Sequence, residues 1–244
     1  VFGEGLQLIE VKNFAMVGCI MDDTGNTSRG DYLETSNCQE GIISGNHVIG
    51  SGTNNLAGSG LDLFGSKRVV VSGNVFKGCS DPIGFASNAG TIVDEITVSG
   101  NVFSNCRGGP IIGEGKITFA GNHWKGVGVA AGYCVQTQQT VAGARFTFTG
   151  DTFDGCASNT HSGSSITTYT GCNFLNGTSH GIVLSRDGSG NIPTVRWYGG
   201  SINGCAGAGI ATSSGVAFSP VFFGRGGHLA GNTGGAISHA ARGD

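Results

Sequence analysis

Ser72-Gly73-Asn74-Val75-Phe76 recurs along this chain with small variations. The same order of small residue, glycine, asparagine, spacer and aromatic returns at Ser99–Phe103 and Ala120–Trp124, and weaker copies occur on both sides. With the glycine as anchor, the copies lie at Gly18, Gly45, Gly73, Gly100, Gly121, Gly150, Gly171, Gly200 and Gly231. Repeats of 20–50 residues are typical of solenoids, propellers and repeat arrays.

The segments before the anchors alternate between apolar and polar residues. Ile96–Ser99, Ile117–Ala120 and Phe146–Thr149 all have period two, which is typical of half-buried strands. No run of ten or more residues has helical periodicity, the leucine scaffold of leucine-rich repeats is absent, and the shortest coils are too short for propeller blades. The pattern therefore predicts a parallel β-helix.

Alignment on the anchors predicts two inward columns and one polar ladder. The column two residues before the anchor reads Ile43, Val71, Val98, Phe119, Phe148, Tyr169, Tyr198 and Leu229. The column three residues after it reads Val48, Phe76, Phe103, Trp124, Phe153 and Phe174, which predicts a stack of five aromatic rings inside a tube. Asparagine follows the anchor in five coils, and its tolerance of left-handed backbone angles predicts an asparagine ladder at a tight bend.

A second strand opens on a small residue before an aliphatic one, as in Gly60-Leu61 and Gly181-Ile182. Together, these features resemble the right-handed parallel β-helix of pectate-lyase-like proteins, of the bacteriophage tailspike and polysaccharide depolymerase type. The resemblance covers about residues 5–240. It implies an all-β fold, a right-handed single-stranded parallel β-helix of about nine coils of 21–31 residues. Residues 1–244 are expected to form one domain, a fragment of a longer chain, because the pattern is already under way at the start.

Composition excludes several classes of partner. The 244 residues carry a net charge of −3 and only 12% are charged, so nothing favours nucleic acid or an anionic membrane surface. No apolar stretch approaches 18 residues, so no membrane insertion is expected. Cys79, Cys106 and Cys156 each lie six residues after an anchor, which predicts a column of buried free thiols. Disulfides between neighbouring coils are the alternative, and the redox compartment stays open.

Two carboxylates fall on neighbouring coils at one offset. Asp31–Thr35 aligns without gaps onto Ser59–Leu63, and each segment begins fourteen residues before its anchor. Leu33 and Leu61 are expected to point inward, so Glu34 and Asp62 are expected to point outward, side by side. Two carboxylates about 5 Å apart raise one pKa and suit acid/base or nucleophilic chemistry on a glycosidic bond.

Further acidic residues extend this prediction. Asp81 lies two residues before Ile83, as Asp31 lies two residues before Leu33. The sequence therefore predicts an acidic patch over three coils with Glu34, Asp62, Asp81 and Asp31 as catalytic candidates. The alternative is a solvated sheet face or an incidental cation site.

Five residues are substrate-binding candidates. Tyr32, Tyr133 and Trp197 are expected to point outward, where they can stack on sugar rings. His180, in Ser179-His180-Gly181-Ile182, is similar to the Gly-His-Gly element of polygalacturonases, and Arg186 follows it. The Asn-Thr-Asp and Arg-Ile-Lys motifs of that family are absent, and His180 lies about four coils from Asp81, so a surface loop histidine is the alternative.

The resemblance implies a polysaccharide-binding, polysaccharide-cleaving domain, either glycosidase or lyase. Its partner is then a polysaccharide, with a homotrimer as the candidate assembly, and its location is extracellular or on a virion surface. No cofactor is expected, except calcium under the lyase alternative. Two other functions stay open: a non-catalytic structural or adhesive segment of a fibre, and an autonomous secreted pectate-lyase-like enzyme.

Overall fold

A computed structural model describes residues 5–22, 31–50, 58–85, 92–112, 114–138, 144–186, 190–212 and 221–239. These residues form strands and turns, and every strand pair among them is parallel. Across these ranges there is no helix of the length and apolarity needed to cross a bilayer. The predicted all-β parallel β-helix is confirmed.

The strands are short, because each coil turns several times. In chain order they are β1 (Leu6–Ile9), β2 (Lys12–Val17), β3 (Ile20–Asp22), β4 (Leu33–Ser36), β5 (Gln39–Ser44), β6 (His47–Ile49), β7 (Leu61–Phe64), β8 (Lys67–Ser72), β9 (Val75–Lys77), β10 (Ile96–Ser99), β11 (Val102–Ser104), β12 (Ile111–Ile112), β13 (Lys116–Ala120), β14 (His123–Lys125), β15 (Tyr133–Gln138), β16 (Arg145–Thr149), β17 (Thr152–Asp154), β18 (Ser158–Ser162), β19 (Ile166–Thr170), β20 (Asn173–Leu175), β21 (Ile182–Leu184), β22 (Thr194–Tyr198), β23 (Ser201–Asn203), β24 (Ile210–Thr212), β25 (Val221–Arg225), β26 (His228–Ala230) and β27 (Ile237–His239).

Stacking of the coils gives the solenoid three faces. The first face is the nine-stranded sheet β2-β5-β8-β10-β13-β16-β19-β22-β25, and the second is the nine-stranded sheet β3-β6-β9-β11-β14-β17-β20-β23-β26. The third face consists of two sheets, β1-β4-β7 and β12-β15-β18-β21-β24-β27. A single bridge between Asp62 and Gly84 continues the third face beyond β7.

The aromatic column of the second face packs inside the tube, as predicted. Ring centroids are 5.7 Å apart for Phe76 and Phe103, and 4.2 Å apart for Phe103 and Trp124. Trp124 continues to Phe153 at 5.7 Å, and Phe153 to Phe174 at 4.6 Å. A parallel stack runs along the first face, where Phe119, Phe148 and Tyr169 are 4.6 and 4.8 Å apart. In-register strands therefore place ring over ring.

The asparagine ladder forms at the bend between the first and second faces. Asn46 donates from its backbone N and its Nδ2 to Oδ1 of Asn74, both at 2.9 Å. The same two bonds link Asn74 to Asn101 and Asn101 to Asn122, and all four side chains are buried. The preceding glycines have the positive φ that a tight turn requires, for example 63° at Gly73.

The predicted register is wrong in the last coils. Thr170 pairs with Tyr198, and Tyr198 with Arg225, so the anchors are Gly199 and Gly226 rather than Gly200 and Gly231. The inward residue is therefore Trp197, and Tyr198 is exposed. Asn232 lies outside the ladder, where its Oδ1 accepts a hydrogen bond from Cys205 N at 3.0 Å.

All eight cysteines are free thiols, and seven of them are buried. With the corrected anchor, Cys205 lies six residues after Gly199, at the offset of Cys79, Cys106 and Cys156. The interpretation of the column as buried free thiols is confirmed.

Candidate active site

Glu34 and Asp62 lie side by side on the third face. Strands β4 and β7 pair in register, with Leu33 opposite Leu61 and Glu34 opposite Asp62. Both leucines are fully buried, so the alternating residues point away from the core. In-register residues of neighbouring parallel strands lie about 4.8 Å apart. The predicted juxtaposition of the two carboxylates is therefore confirmed, while their catalytic role stays a prediction.

Asp31 and Asp81 flank this pair. Tyr32 N donates to Ser59 O at 3.0 Å and Gly60 N donates to Asp81 O at 2.8 Å, so Asp31, Ser59 and Asp81 share one column in successive coils. The Asp31 carboxylate also accepts a hydrogen bond from Ser59 N at 2.8 Å. The structure brings the four predicted acidic residues together, and we call Asp31, Glu34, Asp62 and Asp81 the acidic patch.

The two central carboxylates have different surroundings. Glu34 Oε2 accepts a hydrogen bond from Gln7 Nε2 at 2.8 Å, from the in-register position of β1. Asp62 Oδ1 is buried and makes no hydrogen bond. It lies over Gly84, where a Cβ atom would come within 3.0 Å of it. Glycine at position 84 thus leaves the space that this oxygen occupies.

These surroundings raise the pKa of Asp62 from 3.8 to about 6. Burial is the largest cause, and the negative charges of Asp31, Glu34 and Asp81 also raise this pKa. The Leu63 backbone N–H acts in the opposite direction. Asp62 therefore holds its proton at mildly acidic pH.

One cation and one phenol extend the acidic patch toward the following coils. Burial raises the pKa of Asp81, the positive charge of Arg107 lowers it, and Asp31 raises it again. Burial and the charge of Asp81 raise the pKa of Tyr133, whereas Arg107 lowers it. Arg107 and Tyr133 are thus the charged and the aromatic neighbours of Asp81.

Arg107 was absent from the site that sequence reasoning predicted. The signal was present, because Asp81 and Gly108 each lie two residues after a cysteine of the thiol column. Gly108 N donates to Ser80 O at 2.7 Å, so Gly108 lies beside Asp81 in the neighbouring coil. Arg107 precedes Gly108 in the chain and is therefore close to Asp81 as well.

The predicted outward orientation of two aromatic residues is wrong. Trp197 is 3% exposed, because it pairs with Tyr169 in the inward column of the first face. Tyr32 is 7% exposed. Its hydroxyl lies near Gly50, at the interior corner where the next coil has Gly60. Neither ring can stack on a sugar, and only Tyr133 of the three predicted aromatics stays partly exposed.

His180 and Arg186 lie apart from the acidic patch. They flank β21, which is four strands beyond the coil of Asp81 and therefore about 19 Å from it. His180 Nδ1 accepts a hydrogen bond from Ala208 N at 2.8 Å, and His180 N donates to Ser158 Oγ at 3.1 Å. The histidine thus links three coils, and a substrate role for it and for Arg186 stays a prediction.

The ranges that the structure describes contain no group of three or more His, Cys, Asp or Glu side chains placed to hold a metal ion. The calcium expected under the lyase alternative stays a prediction.

Comparison with solved structures gives the same fold. The chain is similar to the tailspike protein of Acinetobacter baumannii phage AM24, with a TM-score of 0.54 at 13% sequence identity. The match covers 97% of this chain and 50% of that one, so the chain spans half the length of the tailspike. A match to tailspike protein 3 of bacteriophage CBA120 has a TM-score of 0.25 at 10% identity, covering 90% of this chain and 49% of that one. The predicted resemblance to tailspike β-helices is confirmed for the fold.

No protein-family model matches the chain, and no curated protein matches its sequence.

Proposed function

We propose that this chain is a polysaccharide-binding and polysaccharide-cleaving β-helix domain of tailspike type, in which Asp62 and Glu34 act on the glycosidic bond. The observation that carries the proposal is the pairing of unlike carboxylates in register. Asp62 has a buried oxygen without a hydrogen bond, and Glu34 beside it accepts one from Gln7. Two titratable groups whose surroundings differ in this way suit separate acid and base roles.

Asp62 is the general acid in this mechanism. Its pKa of about 6 keeps the carboxyl protonated in mildly acidic solution, so that it can donate its proton to the leaving oxygen of the sugar. The charge of Glu34 is one cause of that pKa, and Glu34 takes the role of the partner carboxylate. The strand spacing of about 4.8 Å is close to the separation of about 5–5.5 Å found in retaining glycosidases, so Glu34 is the nucleophile.

The charges of the site favour a neutral segment of polysaccharide at the point of cleavage. Four carboxylates lie in the acidic patch, and Arg107 is the cation whose charge acts on Asp81. A uronate at the same place would meet like charge, which is unfavourable in a partly buried site. Tyr133, partly exposed beside Asp81, offers a ring for a neighbouring sugar. An O-antigen-like polymer fits this arrangement better than a polyuronate.

The similarity to a phage tailspike supports the proposed setting. A tailspike-type domain would act outside the cell, at a virion surface, on a polysaccharide of the host envelope. A homotrimer is part of the same proposal.

A polysaccharide panel tests the activity. The purified chain is incubated with neutral, O-antigen-type and uronate-containing polymers, and reducing ends and unsaturated-uronate absorbance are recorded together. We expect reducing ends without absorbance. Absorbance on a uronate polymer would replace the hydrolase by a lyase, and no release on any polymer would leave the structural or adhesive alternative.

Variants then test the residues. Asp62→Asn and Glu34→Gln are each expected to lower the rate by at least about a hundredfold, the low end of acid–base contributions. The control is Glu95→Gln, an exposed acidic residue beside the first face, which is expected to keep the wild-type rate. Circular dichroism and the melting temperature establish that each variant is folded. Full turnover by folded Asp62→Asn would overturn the assignment.

A further inference from the structure

The C-terminal half of the first face carries positive charge and no negative charge on its outward side. Outward and buried residues alternate along β16, β19 and β22, and β25 continues these strands in register. None of the four strands contains Asp or Glu, whereas three of them contain an arginine. We call the polar outward residues of this region the arginine surface: Arg145, Thr147, Thr149, Thr168, Thr170, Thr194, Arg196, Tyr198 and Arg225.

The three arginines of this surface are available to a ligand. Within the described ranges, the side chains of Arg145, Arg196 and Arg225 form no ion pair and no hydrogen bond. The ion pairs of the first face lie at its other end, where Arg68 is 3.2 Å from Glu40. The whole chain has a net charge of −3, so the arginine surface is locally opposite in charge to the chain. Guanidinium groups bind carboxylates through two parallel hydrogen bonds.

An exposed aromatic ring lies among these charges. Tyr198 is 42% exposed, it is in register with Arg225, and it follows Arg196 by two residues on the same side of β22. The Cα atom of Tyr198 is therefore about 4.8 Å from that of Arg225 and about 6.6 Å from that of Arg196. On its other side Tyr198 pairs with Thr170. Tyr198 thus takes the outward position that the sequence predicted for Trp197, with cations on two sides and a hydroxyl on a third.

We propose that the arginine surface binds an acidic polysaccharide, with Tyr198 stacked on a sugar ring and Arg196 and Arg225 on sugar carboxylates. The tyrosine ring offers an apolar face to the sugar, and the guanidinium groups neutralise its charge. The threonine hydroxyls can both donate to and accept from sugar hydroxyls. Arg145 lies two strands and two residues from Arg196, about 12 Å between Cα atoms, so a polymer reaches all three arginines where a single sugar does not.

Two other occupants fit this surface less well. A second copy of the chain that presented the same surface would place arginine against arginine, which is unfavourable. A nucleic acid is held by many phosphate contacts, and each of its stacked bases uses a separate aromatic ring. The arginine surface has three cations and Tyr198 as its aromatic residue. It therefore matches a polymer with widely spaced charges.

The arginine surface is separate from the acidic patch. Tyr198 lies on β22, five strand spacings from β8 of the coil that contains Asp62, or about 24 Å along the solenoid. It is also on the first face, whereas the patch is on the third. The inference goes beyond the proposed function, because it concerns binding without cleavage and uses no residue of the patch. Binding at this surface and cleavage at the patch can therefore be measured independently.

Isothermal titration calorimetry of the purified chain with a galacturonate hexamer tests the inference. The methyl-esterified hexamer is the matched ligand, because it has the same sugar backbone without the negative charges. The test variants are Arg196→Gln, Arg225→Gln and Tyr198→Ala. The control variant is Arg68→Gln, which removes the same charge from the same face at the ion pair with Glu40. Circular dichroism checks the fold of all four.

We expect the wild type to bind the galacturonate hexamer, and to bind its methyl ester at least about tenfold more weakly. Each arginine variant should raise the dissociation constant about tenfold and Tyr198→Ala about fivefold, whereas Arg68→Gln should keep the wild-type value. No binding of the hexamer, equal binding of the ester, or unchanged affinity in the folded test variants would overturn the inference. So would an equal loss in the control, or tighter binding of single-stranded DNA with the same number of charges. None of these outcomes depends on the release of reducing ends, which measures the proposed function.

Discussion

Asn122 donates two hydrogen bonds to Asp151, so the asparagine ladder ends on a carboxylate. The Asn122 backbone N and Nδ2 lie 2.9 and 2.7 Å from Asp151 Oδ1. Asn122 Nδ2 also donates to Val98 O, in the preceding coil, at 2.9 Å. The three earlier asparagines of the ladder each make the same bond to a backbone carbonyl of the coil before their own. An ionised aspartate has no such donor, and Asp151 Oδ2 is buried without a hydrogen bond.

Because the Asp151 carboxylate is buried and Oδ2 has no hydrogen bond, the stability of the protein depends on pH through this residue. Burial raises its pKa from 3.8 to about 6, against the lowering effect of the Asn122 bonds and the nearby Trp124 indole N–H. Because the folded pKa lies above the unfolded one, the stabilisation from the bound proton is fully present below about pH 3.8. It is lost as the pH rises through about 6.

We therefore predict that Asp151→Asn stabilises the protein at neutral pH. The new Nδ2 can donate to Phe119 O, the carbonyl equivalent to Val98 O, since Val98 pairs with Phe119. The gain should be on the order of 3 kcal/mol at pH 7, from the rise in pKa, and should shrink toward pH 4. Thermal melts of both proteins across this range measure it. Asp154→Asn, at a partly exposed position, is the matched control, and a lower melting temperature for Asp151→Asn at pH 7 would contradict the prediction.

Register explains what the sequence could predict. Asp31–Thr35 and Ser59–Leu63 begin at equal distances from their anchors, so counting residues placed Glu34 beside Asp62. The predicted register is wrong in the last coils because Gly199 and Gly200 both satisfy the anchor pattern. With Gly200 as the anchor, the inward and outward residues of the strand are exchanged, so that Trp197 is predicted to be exposed although Tyr198 is the exposed residue.

The burial of polar groups could not be predicted from residue positions relative to the anchor glycines. The pKa of Asp62 depends on the space over Gly84, which belongs to a coil that contributes a single bridge instead of a strand. His161 is another case, because it lies inside the tube with Nε2 2.8 Å from Tyr169 OH and Nδ1 3.0 Å from Thr137 Oγ1. Burial lowers the pKa of this histidine to about 3. Where the strand ends differ from coil to coil, the sequence alone does not distinguish a polar residue that points inward from one that points outward.

The aromatic stack predicts a large loss of stability from a single truncation. Phe103 is fully buried between Phe76 and Trp124, so Phe103→Ala removes contacts with both rings and leaves a cavity. We expect the free energy of unfolding to fall by about 3–5 kcal/mol, and by less in Phe103→Leu, which keeps most of the volume. Denaturant unfolding measures both. Val102→Ala, on the exposed side of the same strand, should change stability by less than about 1 kcal/mol, and an equal loss there would argue against the stack.

Left-handed residues at the start of the first-face strands predict a stabilising glycine. Glu40, Arg68 and Glu95 have φ of 57°, 53° and 56°. Residues other than glycine adopt this backbone conformation only at a cost in free energy. Glu95→Gly should raise the free energy of unfolding by about 0.5–1 kcal/mol. The control is Thr97→Gly two residues later, within β10, where glycine should destabilise by a similar amount. Thermal melts compare the two, and destabilisation by Glu95→Gly would mean that its side chain contributes more than its backbone costs.

Removal of one neighbouring charge should lower the pKa of Asp62. After burial, the charge of Asp31 is the largest cause that raises this pKa from 3.8 to about 6. Asp31→Asn removes the charge and keeps an Oδ1 that can accept the hydrogen bond from Ser59 N. We expect the carboxyl carbon of Asp62 to titrate at lower pH in carbon-detected NMR, and the alkaline limb of any cleavage activity to move to lower pH with it. Glu95→Gln, which is remote from the patch, should leave the titration in place. An unchanged titration in Asp31→Asn would mean that Asp31 takes no part in tuning the pKa of the proposed acid.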